Sequence, residues 1–122
     1  MGDENDTSRA SVLYSMGRAL LEGGAASEAV DFLRRSWSIS PHAHTAYFLV
    51  KALHAIGDVH ESRRWNAEAY QLNPRNSMIA TAHASALSDA GAVSDAIKIL
   101  YGVLDQTRTY GPAKKLLGEL EV

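Results

Sequence analysis

The chain has 122 residues, 46% hydrophobic and 21% charged, and contains no cysteine. A folded chain of this length buries about two-thirds of the surface its unfolded form exposes, so a single domain needs neither metal nor disulfide to hold a core. The missing thiols exclude thiolate nucleophiles, disulfides and thiolate metal centres. A net charge of −2 supplies no general attraction for nucleic acid or anionic lipid.

The chain opens on acidic, polar residues, with Asp3, Glu4 and Asp6 among the first seven. A secretory signal needs a positive start and an apolar run, and N-myristoylation needs Ser or Thr where Asp6 stands. Residues 1–7 are therefore expected as a flexible acidic arm able to fold over cations of its own chain. No apolar run approaches the roughly 20 residues that span a bilayer, so the expected location is cytoplasmic, without membrane insertion.

Beyond the arm the sequence is periodic. Gly24-Ala25-Ala26-Ser27-Glu28-Ala29 recurs as Gly57-Asp58-Val59-His60-Glu61-Ser62 and as Gly91-Ala92-Val93-Ser94-Asp95-Ala96. Each reads glycine, three residues, an acid, then a small residue; Pro41 and Pro74 follow the first two glycines at one constant distance. Apolar residues between these marks keep helical spacing, as in Leu13, Met16, Leu20 and Leu21, then Val30, Leu33 and Trp37. Glycine permits the left-handed turn that ends one helix, and proline blocks continuation of the next. The pattern predicts helices over 8–22, 26–39, 43–56, 59–72, 76–90, 93–106 and 112–120. Small residues at two recurring places, Gly17, Val50 and Ala84, then Ala29, Ser62 and Ala96, are expected at tight helix crossings.

Such hairpins bury both apolar faces only by stacking, so three in series predict an all-α, right-handed solenoid with a seventh, terminal helix. The expected domain spans 8–122, with repeats over about 10–42, 43–76 and 77–110 and a capping helix over 111–122. In that last helix Pro112 suits the first turn. Leu116, Leu117 and Leu120 would cover the third repeat, and Lys114, Lys115, Glu119 and Glu121 would face water.

The spacing resembles the tetratricopeptide repeat, a unit of about 34 residues. Starting the repeats at Ala10, Ala43 and Ser77 matches Leu13, Met16, Gly17, Leu20, Gly24, Ala29, Leu33 and Pro41 in the first, and Leu49, Leu53, Gly57, Ser62, Ala69 and Pro74 in the second. The third matches with Ala80, Ala84, Leu87, Gly91, Ala96 and Leu100. The family's aromatic preferences are not met, and Asn66 and His83 fit least well.

The resemblance implies a non-catalytic adaptor that binds peptide or protein segments along the face lined by the first helix of each repeat. Carried over residue by residue, that face holds Tyr14 and Arg18, then His44, Tyr47, Lys51 and His54, then Met78, Thr81 and Ser85. Tyr14 with Arg18 and Tyr47 with Lys51 are i, i+4 pairs, which a helix places on one face. Tyrosine offers contact area at low entropic cost and a cation pairs with carboxylate, so an extended acidic segment is the expected partner. His44 and His54 would add charge below about pH 6.5. The family's carboxylate clamp for chaperone tails is absent, because its places hold Tyr14, Arg18, Phe48, Met78 and Ala82. Heat-shock chaperone tails bound in that way are accordingly not expected.

Two alternatives use other features. Trp37, Trp65, Phe32 and Tyr70 lie on second helices, where they either pack between repeats or, if exposed, drive homo-oligomerisation together with the terminal helix. A helical-repeat RNA binder is the other alternative, opposed by the acidic balance. No metal or cofactor site is expected. The five histidines, His42, His44, His54, His60 and His83, lack i, i+4 pairs, although His42 and His44 would chelate weakly in extended backbone. His83, at a normally buried place, is expected to find a hydrogen-bond partner. No phosphate-binding glycine loop or nucleophile elbow is present.

Overall fold

The computed structural model describes the backbone of residues 3–122 and the side chains of residues 5–122. Its seven helices are α1 (Asp3–Glu22), α2 (Ala26–Ile39), α3 (Ala43–Ala55), α4 (Val59–Leu72), α5 (Ser77–Asp89), α6 (Val93–Gln106) and α7 (Gly111–Leu120). Six of them fall within a residue or so of the spans that hydrophobic spacing predicts. The exception is α1, which starts at Asp3, so residues 3–7 continue the helix where an arm was expected. Acidic residues suit the positive end of a helix dipole, and Asp6 pairs with Arg9 one turn on at 3.6 Å. Asp6 is therefore engaged locally, while the side chains of Asp3 and Glu4 lie outside the described residues.

Each hairpin turn is built in the same way. Gly24, Gly57 and Gly91 have φ of 87°, 85° and 93°, the left-handed region open to glycine. The residue after each donates its N–H five residues back, Ala25 to Leu20, Asp58 to Leu53 and Ala92 to Leu87, at 2.8–2.9 Å. This bond satisfies carbonyls that a helix end leaves free. Side chains then start the following helices, with Asp58 accepting from the Glu61 N–H at 3.2 Å and Asn76 from the Ile79 N–H at 3.0 Å.

The chain divides into two compact units, residues 1–69 and 70–122. The division falls inside α4 and coincides with none of the expected repeat boundaries. In the first unit α2 packs between α1 and α3, burying Ala29, Val30, Leu33, Leu49, Val50 and Leu53. The recurring small places are crossings, as the sequence implies: Ala29 and Ser62 are fully buried, and a Cβ on Gly17 would lie 2.6 Å from Leu33 Cγ. Buried Ser36 donates from α2 to the Ala10 carbonyl of α1 at 2.8 Å. Trp37 and Trp65 meet edge to face at 4.9 Å, and Trp65 is buried.

The second unit is centred on Ala80, Ala84, Ala96, Leu100, Val103, Ala113 and Leu117. Its α7 packs on α5 and α6, with Leu117 buried, Leu116 and Leu120 half-buried, and Lys114, Lys115, Glu119 and Glu121 exposed. The Tyr101 hydroxyl on α6 donates to Glu121 at the end of α7, 2.7 Å away.

Candidate functional site

Two helices of the first unit, α1 and α3, make the wall on which the predicted residues meet. One helical turn separates Tyr14 from Arg18 on α1 and Tyr47 from Lys51 on α3, so each tyrosine shares a face with its cation. Phe48 lies between the two pairs. It meets Tyr14 edge to face at 5.9 Å and Tyr47 at 5.4 Å. The Arg18 guanidinium sits 4.5 Å from the Phe48 ring centre and 5.7 Å from that of Tyr14. The Lys51 ammonium sits 5.4 Å from Tyr47 and 5.9 Å from Phe48. Both cations therefore converge on one ring, and each such contact contributes about 0.5–1 kcal/mol at an exposed site.

The three rings are half-buried while Arg18 and Lys51 are exposed. Among the described residues neither cation has a carboxylate within ion-pair distance, whereas Arg9, Arg34, Arg35 and Arg64 all do. A π face attracts a cation without consuming its N–H donors, so Arg18 and Lys51 keep theirs for a ligand. Burial pushes the Tyr47 hydroxyl above its usual pKa.

Two furrows continue from this cluster along the helix pair. One, of about 650 Å³, is lined by Arg18, Leu21, Glu22, Phe48, Lys51 and His54. The other, of about 260 Å³, is lined by Ser11, Tyr14, Ser36, His42 and His44 among others. Six of the predicted groove residues, Tyr14, Arg18, His44, Tyr47, Lys51 and His54, are thus on this wall. Met78, Thr81 and Ser85 belong to α5 in the second unit, where Met78 is exposed and the other two half-buried; the Thr81 hydroxyl is buried without a partner. Sequence reasoning missed Phe48 as the centre of the cluster. The available signal was an aromatic next to Tyr47 at a place where the carboxylate clamp would hold an amide.

No family model and no curated protein matches the sequence. Solved structures do match. The chain is similar to the Arabidopsis OM64 TPR domain, with a TM-score of 0.83 at 14% identity over 95% of this chain and 97% of that one. It is also similar to the second TPR domain of human RPAP3 in complex with the HSP70 peptide SGPTIEEVD, with a TM-score of 0.84 at 16% identity over 96% and 98%. The Sgt2 TPR domain from Aspergillus fumigatus matches with a TM-score of 0.78 at 18% identity over 92% and 76%. The fold is that of a tetratricopeptide-repeat domain.

Within this tetratricopeptide fold the remaining candidates sort by environment. No cluster of three His, Asp or Glu able to hold a metal occurs among the described residues. No helix there is long and apolar enough to cross a membrane. His83 differs from expectation: it stacks on Tyr70 at 4.8 Å and 24°, and its Nδ1 is buried without a hydrogen-bond partner. Burial accordingly lowers its pKa from 6.5. A flat aromatic contact takes the place of the expected hydrogen bond because Tyr70 presents its ring to the imidazole.

Proposed function

We propose that this tetratricopeptide domain is a non-catalytic adaptor whose α1–α3 wall binds an acidic peptide or protein segment. One observation carries the reading: Arg18 and Lys51 stand on a shared aromatic platform with no carboxylate of the described chain on either. Cations whose N–H groups hold no carboxylate offer charge-assisted hydrogen bonds to an incoming one. Tyr14, Tyr47 and Phe48 supply apolar contact beside them. His44 and His54, lining the two furrows, extend the polar surface. The similar RPAP3 domain is in complex with an HSP70 peptide that carries two glutamates and an aspartate, which supports an acidic partner class. Capture through the family's chaperone-tail clamp is not part of this reading, since Tyr14, Arg18 and Phe48 stand at places of that clamp. The expected setting is cytoplasmic.

A titration of a fluorescent Glu/Leu peptide tests the reading. Replacing Arg18 and Lys51 together by glutamate should weaken binding about 30-fold, equivalent to about 2 kcal/mol, measured at a temperature where both proteins keep full helix content. Equal affinity of both proteins would reject the wall as the binding site. The self-assembly alternative gains nothing from Trp65, which is buried edge-on to Trp37 instead of presenting an aromatic face.

A further inference from the structure

The two furrows flanking the aromatic platform determine which part of a partner chain the wall takes. Residues 7–14 of α1 and 42–45 at the start of α3 line one furrow, with Ser36 and Ser40 from the end of α2, while residues 18–22 of α1 and 48–54 of α3 line the other. Early residues of both helices thus meet in one furrow and late residues in the other, so α1 and α3 run in the same direction. The furrows follow one another along that direction. From Ser11 to Glu22 the helix rises about 16 Å at 1.5 Å per residue, the span of about five residues of extended chain.

Tyr14 of the platform lines the smaller furrow and Phe48, Arg18 and Lys51 line the larger, so the platform lies between the two. The charges are arranged to match. Arg18 and Lys51 lie where the platform opens into the larger furrow, and Glu22 stands at its far end. A carboxylate is attracted at the platform and repelled one turn beyond it, which fixes where along the track an acidic side chain rests. The donors are two long side chains braced on rings. Both reach a carboxylate wherever it is carried, on a side chain or on a chain end.

We infer that the wall recognises an internal acidic segment, lying lengthwise along the α1–α3 furrow, with an Asp or Glu side chain on Arg18 and Lys51 and an apolar neighbour on Tyr14 and Phe48. This rests on the adaptor reading above and sharpens it: the recognised group is a side-chain carboxylate in mid-chain, and a free chain terminus is not required. Phe48 acts as the positioning residue, since it is the ring that both cations share.

Three fluorescent peptides test this on the full chain: a Glu/Leu octamer with both ends blocked, the same octamer with a free C-terminal carboxylate, and a Gln/Leu octamer with a free C-terminal carboxylate. The two Glu peptides should bind with affinities within about twofold of each other, and the Gln peptide at least about tenfold more weakly. Binding of both free-ended peptides without the blocked one would overturn the internal-segment inference while leaving an anion-binding wall. Failure of all three would reject the adaptor reading itself. A nitroxide on the N-terminus of the blocked peptide should broaden amide resonances at only one end of the furrow, near Ser11 and His44 or near Leu21 and His54. Equal broadening at both ends would mean a crosswise pose and sink the lengthwise one. Phe48→Leu keeps an apolar side chain at the site and should weaken the blocked peptide about fivefold at a temperature where both proteins are fully folded; unchanged affinity would remove Phe48 from its positioning role.

Discussion

The same repeat positions carry different chemistry in the two compact units. On α1 and α3 they hold Tyr14 with Arg18 and Tyr47 with Lys51; on α5 they hold Thr81 and Ser85, and Ala82 stands where α3 has Phe48. The first unit's first-helix surface therefore combines rings and unpaired cations. The second unit's offers short side chains, one of them a threonine with its hydroxyl buried and unpartnered. Since both units share the turn glycines and the small crossing residues, repetition fixes the backbone and leaves this surface free to differ. Binding chemistry is grafted on the repeat, and the repeat does not dictate it.

The largest effect should come from disturbing what the units have in common. Gly17, Val50 and Ala84 hold one repeat place and all three are buried; a Cβ added at Gly17 would lie 2.6 Å from Leu33 Cγ. Leu33 is fully buried, so it has nowhere to retreat. Gly17→Val should cost about 3 kcal/mol by overpacking, lowering Tm by about 10 °C in calorimetry. A variant with unchanged Tm would show that the crossing relaxes freely. The next effect separates surface from scaffold: the Arg18→Glu, Lys51→Glu double variant should lose about 2 kcal/mol of binding to an acidic peptide, with a smaller loss of stability than Gly17→Val because only its exposed ring contacts go. The converse change, Glu22→Gln, removes the repelling carboxylate and should tighten the same peptide by about threefold in titration.

These contrasts also mark what the sequence alone reveals. Gly24, Gly57 and Gly91 signal turns because their demand is local, a positive φ, and Ala29, Ser62 and Ala96 signal crossings because their spacing repeats. The signature aromatics are replaced by Leu13, Ala46 and Ala80 at one position, and by Asn66 at another. The hairpin survives because helix spacing and small crossings suffice for it. Phe48 stayed hidden because its role depends on α1 and α3 lying side by side, a long-range fact that no i, i+4 pair contains. The start of α1 was obscured for the opposite reason, since acidic polar residues read equally as a solvated arm or as a favourable first turn.

A pH titration distinguishes the second unit in a different way. His83 stacks on Tyr70 in a half-buried place, and burial holds its pKa below 6.5. The unfolded chain then binds the proton more readily than the folded one, so this contribution to stability is complete above pH 6.5 and is lost as pH falls through the folded-state value. Chemical denaturation of the whole domain should show a modest loss of stability on acidification from pH 7 to pH 5. The variant His83→Phe retains a ring against Tyr70 and should flatten that part of the profile. An identical slope in the variant would assign the acid sensitivity to other groups.

The smallest effect belongs to the contact between α6 and the end of α7. The Tyr101 hydroxyl donates to Glu121 at 2.7 Å, on an exposed surface where such a bond competes with water. Hydrogen bonding to Glu121, together with lesser desolvation and the nearby negative charge, raises the Tyr101 pKa above 10.0. Its contribution is therefore complete below pH 10 and is lost as pH rises through the folded-state value. Tyr101→Phe should leave Tm unchanged while hydrogen exchange quickens in the last turn of α7. The buried Ala113 and Leu117 anchor the rest of that helix, so faster exchange across all of α7 would mean that the tyrosine, and not the leucine face, docks it.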